Sequence, residues 1–123
     1  MEVFKFSFER LIVWQKAREL SKSLYRASEN FPSEERYRLA DQIRRAGISV
    51  ASNIAEGTSR KSFKDQERFL EIAYGSLMEI CCQLQLAVDI ELMTDFEFSA
   101  LREKIREVAR LLIALKTSLE NRQ

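Results

Sequence analysis

The chain has no histidine, one proline, three glycines and two cysteines in 123 residues. The missing histidine excludes Ser-His-Asp and Cys-His nucleophilic catalysis, His-ligated zinc and a haem held by His. Cys81 and Cys82 are adjacent. Neighbouring cysteines make neither an ordinary structural disulfide nor a CxxC site, so two reduced thiols in a reducing cytosol are expected. No apolar run approaches the roughly 20 residues of a membrane span. No apolar segment behind a basic start marks a signal peptide. There is no glycine-rich phosphate loop. A cytoplasmic protein without membrane partner, cofactor or metal is the expectation, and an enzyme is disfavoured.

What the chain does have is apolar content of 46%, charged content of 32% and a net charge of +1. Its length is that of one domain, so residues 1–123 are read as a single unit. Charge is unevenly divided. Residues 1–62 carry 12 Lys and Arg against 8 Asp and Glu, whereas residues 63–123 carry 8 against 11.

Between the few breakers lie long periodic stretches. Residues 3–8 alternate apolar and polar. They predict an extended N-terminal arm over residues 1–7 that tucks against its own bundle or a neighbouring subunit. Ser7 is placed to cap a first helix from about Phe8 to Ser28, with Phe6 and Leu11 as a hydrophobic staple. Asn30, Phe31, Pro32 and Ser33 break it. A second helix runs from about Glu34 or Tyr37 to Glu56, with Leu39, Ile43, Ala46, Val50 and Ile54 on one face. Gly57 is suited to a left-handed C-terminal cap. A third helix follows Ser62 as cap, with Asp65 in its first turn. Its stripe holds Phe69, Ile72, Ala73, Leu77, Ile80, Leu84, Ala87 and Val88, and it reaches about Leu92. A fourth opens with the Thr94-x-x-Glu97 capping box, and Phe98, Leu101, Ile105, Val108, Leu112, Leu115 and Leu119 step by threes and fours. Short connections then predict an all-α, antiparallel up-down four-helix bundle. Leu70, Cys81, Leu111 and Ile113 lie off the seams and point to a second packing partner, hence self-association.

Three groups of side chains are candidates for function. The first is the basic set Arg44, Arg45, Arg60 and Lys61, a phosphate-binding patch in which guanidinium forks match phosphate oxygens. The same residues also read as a solvated face with Glu34, Glu35, Asp41 and Glu56 as counter-charges. The second is Asn53 with Glu56, three apart on one helix face, which also reads as a structural polar cluster. The third is Gly75 with Ser76 and Glu79. A glycine inside a helix costs about 1 kcal/mol relative to alanine, so close approach of another helix is the expected reason for it. The carboxylate pairs Glu67/Glu71 and Glu103/Glu107 lack the Glu-x-x-His partners of a di-metal bundle.

Several runs stand in one order: Leu11-x-Val13-Trp14-Gln15-x-Ala17, Phe31-Pro32, Gln42-Ile43-Arg44-Arg45-Ala46, Asn53-Ile54-Ala55-Glu56-Gly57, Arg60-x-Ser62, and Phe69-Leu70-x-Ile72-Ala73-x-Gly75-Ser76-x-x-Glu79. Over about residues 4–119 the chain resembles the four-helix-bundle proteins encoded in intervening sequences of 23S ribosomal RNA genes, a ribosomal-protein-like family. Where that family often carries proline before the asparagine, this chain reads Ile48-Ser49-Val50-Ala51-Ser52. The resemblance implies a bacterial homopentamer. It also implies kinship with accessory proteins of diversity-generating retroelements, which bind nucleic acid through a basic surface and associate with a reverse transcriptase. It supplies no catalytic residue. A non-enzymatic oligomer that binds RNA or a nucleic-acid enzyme is the leading expectation; a structural adaptor without nucleic-acid contact is the other.

Overall fold

A computed structural model describes residues 2–123. A 3-10 turn at Ser7–Arg10 precedes four helices: α1 (Ile12–Ser28), α2 (Glu34–Thr58), α3 (Phe63–Asp89) and α4 (Asp95–Glu120). The described residues contain no strand. Each helix is adjacent to two others, in the closed order α1, α2, α3, α4 and back to α1. One core fills the centre. Leu20 and Leu24 of α1, Ile43, Val50 and Ile54 of α2, Leu77, Ile80 and Leu84 of α3, and Val108 of α4 are fully enclosed. Each such side chain contributes about 1.5–3 kcal/mol by leaving water.

The helix ends follow local chemistry. The Ser62 hydroxyl accepts from the Asp65 backbone N–H at 3.2 Å. Thr94 accepts from the Glu97 N–H at 3.1 Å while the Glu97 carboxylate accepts from the Thr94 N–H at 3.0 Å, closing the capping box. The fourth-helix seam is buried except for half-buried Leu115.

Five local expectations are corrected. Ser7 does not cap the first helix. The Glu9 carboxylate accepts from the Phe6 N–H at 3.0 Å and winds residues 7–10 into the 3-10 turn, so α1 starts only at Ile12. Phe6 meets Phe4 edge-on at 5.1 Å, and Val3, Phe4 and Phe6 are exposed, so the arm does not tuck against its own bundle. Gly57 is not a left-handed cap. No glycine has positive φ, and α2 runs through Gly57 to Thr58. Its use is close approach: a Cβ there would stand 2.9 Å from Phe69 Cβ. The α3 stripe is buried as expected at Ala73, Leu77, Ile80, Leu84 and Ala87 but differs in its first turns, where Leu70 is buried and Ile72 is exposed. Helix α3 ends before Leu92, in a left-handed turn at Glu91 (φ 64°). There the Leu92 N–H donates to Ala87 O and the Glu91 N–H to Val88 O, the paired bonds of a Schellman motif.

Candidate functional site

The anticipated basic residues are held in different ways. Arg44 is half-buried against the C-terminal end of α1. Its Nε donates to Ser28 Oγ at 2.9 Å and its Nη2 to the Tyr25 carbonyl at 3.2 Å, while the guanidinium lies 4.7 Å from the Tyr25 ring centre. A cation suits the exposed carbonyls at a helix C-terminus, so Arg44 fastens α2 to α1. Arg45 projects outward, 79% exposed, and its Nε reaches Asp41 at 3.0 Å. Arg60 pairs with Glu56 at 3.8 Å and covers the Phe69 ring at 4.7 Å. Lys61 is exposed and has no ion-pair partner among the described residues. The sixteen residues from Arg44 to Arg60 span about 24 Å of chain, so the four do not converge on one spot.

Asn53 and Ser76 do meet, through a residue the sequence reading passed over. Ser49 Oγ lies 2.8 Å from Ser76 Oγ, and Asn53 Nδ2 donates to Ser49 O at 2.8 Å and to Ser49 Oγ at 3.1 Å. This polar seam joins α2 to α3. Gly75 beside it is open: a Cβ there would meet nothing within 4 Å, so no helix of the same chain explains the glycine. Glu79 accepts weakly from Gln83 Nε2 at 3.4 Å. Gln83 is buried, and its Oε1 has no hydrogen-bond partner. The outer side of α3 also exposes Ile72, Met78, Leu86 and Ile90. Across the α3–α4 contact, Lys116 Nζ lies 3.2 Å from the Glu67 carboxylate, whose hydrogen bond and charge hold the ammonium above the ordinary lysine range.

A broad concavity lies elsewhere, between α1 and α2. It is a groove of about 750 Å³. Ile48, Ala51, Ser52 and Ala55 of α2 and Trp14 and Tyr25 of α1 line it. The small side chains at 51, 52 and 55 make its floor shallow. Arg18, Lys22 and Arg26 stand along its α1 wall. They recur every four residues, one turn apart on one face. None has a carboxylate within ion-pairing distance among the described residues. The Arg18 guanidinium lies 5.6 Å from the Trp14 ring centre, and Phe8 packs edge-on against the same indole at 4.9 Å. Acidic Glu19 faces the other way, into a cleft with Lys104 and Glu107 of α4. The wall is therefore cationic without local compensation. Sequence reasoning missed these three residues, although their spacing at 18, 22 and 26 was visible.

No group of three or more Cys, Asp or Glu among the described residues is placed to hold a metal ion. Among the described residues no helix is long and apolar enough to cross a membrane.

The family model for the 23S rRNA-intervening sequence protein matches residues 9–114. No curated protein matches the chain. Among solved structures, the chain is similar to a protein of unknown function from the S23 ribosomal protein family of Bacteroides thetaiotaomicron VPI-5482. The TM-score is 0.78 at 24% identity, covering 85% of this chain and 98% of that one. At that identity the likeness shows the fold: four helices wound as here. With a family match that takes in α1 to α3 and most of α4, the chain belongs to the 23S rRNA-intervening sequence protein family.

Proposed function

We propose that this protein is a non-enzymatic, cytoplasmic, homo-oligomeric bundle that binds RNA through the outer side of its first two helices. The observation that carries the reading is the row Arg18, Lys22 and Arg26, three cations on one helix face without a carboxylate partner. Uncompensated cations in a row create a local positive field even in a near-neutral chain. Lys61 adds a free cation at the far end of α2, whereas Arg44, Arg45 and Arg60 already face protein partners. Contacts Ser49–Ser76 and Gly57–Phe69 run in opposite order along α2 and α3, which supports an antiparallel up-down arrangement. Self-association, with a pentamer as the expected form, is supported by the exposed Ile72, Met78, Leu86 and Ile90 beside open Gly75.

Fluorescence anisotropy with a structured RNA tests the reading. Affinity is expected to fall by orders of magnitude between about 50 and 200 mM salt if many phosphates are engaged. Absence of binding at the low salt refutes it. A second reading, an adaptor for a protein partner such as a reverse transcriptase, is favoured by the intramolecular engagement of Arg44, Arg45 and Arg60. Under it Arg18, Lys22 and Arg26 are solvated surface, and protein capture survives their neutralisation. A monomeric native mass at micromolar concentration removes self-association from both readings.

A further inference from the structure

We propose that the α1–α2 groove is a single-stranded RNA site, with phosphates along Arg18, Lys22 and Arg26 and bases laid over the Ala51–Ser52–Ala55 floor. This rests on the RNA-binding reading above and names the form of RNA the groove takes. Three features carry it. The cations recur about every 6 Å along α1, a spacing comparable to that of successive phosphates in an RNA strand. They line one wall only, as a single backbone requires; a duplex carries two. The floor is low because residues 51, 52 and 55 are small, and it is apolar at Ala51 and Ala55 with the Ser52 hydroxyl between them. Unstacked bases can enter such a channel, whereas bases of a duplex stay stacked inside it.

Aromatic groups stand at both ends. Trp14 and Tyr25 are eleven residues apart on α1, about 16 Å, enough for a few nucleotides. Arg18, on the groove wall, lies over the Trp14 ring. A base can stack on such a flat cation as it does on an aromatic face. Positive charge joined to stacking surface is the combination used for single strands, and charge complementarity commits the groove to an anion.

Trp14 is the only tryptophan in the chain, so its fluorescence reports on this groove alone. The experiment titrates the full protein with an oligouridylate of about twelve nucleotides, with the matching U·A duplex, and with poly-glutamate, reading indole emission and anisotropy together. The expected result is saturable change in Trp14 emission with the single strand. The duplex should bind roughly tenfold or more weakly, since one stacked base contributes that much. Ser52→Glu, an exposed substitution that puts a carboxylate on the floor, should abolish the emission change while the helix content stays unchanged. Binding by anisotropy without an emission change, or equal preference for the duplex, overturns the groove assignment and leaves RNA binding standing. An equal emission change with poly-glutamate makes the groove an acidic-polypeptide site and overturns the assignment to RNA. No binding of either RNA overturns both readings.

Discussion

Gly57→Ala and Gly75→Ala should move stability in opposite directions, although both place a methyl group on a helix. In a helix interior the exchange alone is favourable by about 1 kcal/mol. At Gly75 nothing of the same chain lies within 4 Å of the new Cβ, so in the dissociated bundle, at low protein concentration, that gain is expected nearly in full. At Gly57 the new atom stands 2.9 Å from Phe69 Cβ and 3.4 Å from the Gln66 carbonyl. Phe69 Cβ is fixed to the α3 backbone, so one helix must shift rather than a side chain swing away. Overpacking of this kind costs about 1–3 kcal/mol. Gly57 stands one residue from the end of α2, so its propensity gain is no larger than that at Gly75, and the overpacking cost sets most of the difference between them. For a chain of this length, at about 4 °C per kcal/mol, their melting temperatures should differ by roughly 4–12 °C. Thermal and urea unfolding followed by circular dichroism measure it. Gly57→Ala as stable as Gly75→Ala would refute the close approach of α2 and α3.

Arg44→Ala should cost about 1–3 kcal/mol in urea unfolding, because hydrogen bonds from a charged group to Ser28 and Tyr25 are lost, whereas Arg45→Ala should stay within about 0.5 kcal/mol. Equal costs would remove Arg44 from its fastening role. Glu91→Gly should stabilise by about 0.5–1 kcal/mol, since a left-handed φ of 64° is strained for glutamate and free for glycine; a loss on thermal unfolding would contradict the turn. Lys116 has its pKa raised by Glu67, so the α3–α4 ion pair is present below the free lysine value of 10.5 and is lost as pH climbs through the raised one. Lys116→Met should therefore flatten the decline of stability above that pH, and an unaltered alkaline limb would argue against the pair.

Much of this was legible in the sequence where the physics is local. Ser62 and Thr94 announce their helices because a cap needs only residues three apart. The α4 seam reads correctly because one helix buries one face. Gly57 misled because its reason, Phe69, sits twelve residues away on another helix; by local rules a glycine there looks like a cap. The α3 stripe was misjudged at Leu70 and Ile72 for a related reason. With apolar residues on several faces, which face turns inward is decided by where α2 and α4 lie. The candidate site was the least legible part. The groove takes its cationic wall from α1 and its floor from α2, and neither half is a motif. Arg44 and Arg45 drew attention as a pair, yet the fold turns one onto Tyr25 and the other to Asp41.

The most direct measurement is the salt dependence of RNA affinity for the wild type beside Arg18→Gln/Lys22→Gln/Arg26→Gln. All three positions are exposed, so the variant is expected to fold. Each phosphate contact to a single strand contributes about 0.7 to the slope of log affinity against log salt. The account predicts a slope shallower by about two units in the variant, with weaker binding at about 50 mM salt. An unchanged slope at unchanged affinity would contradict it.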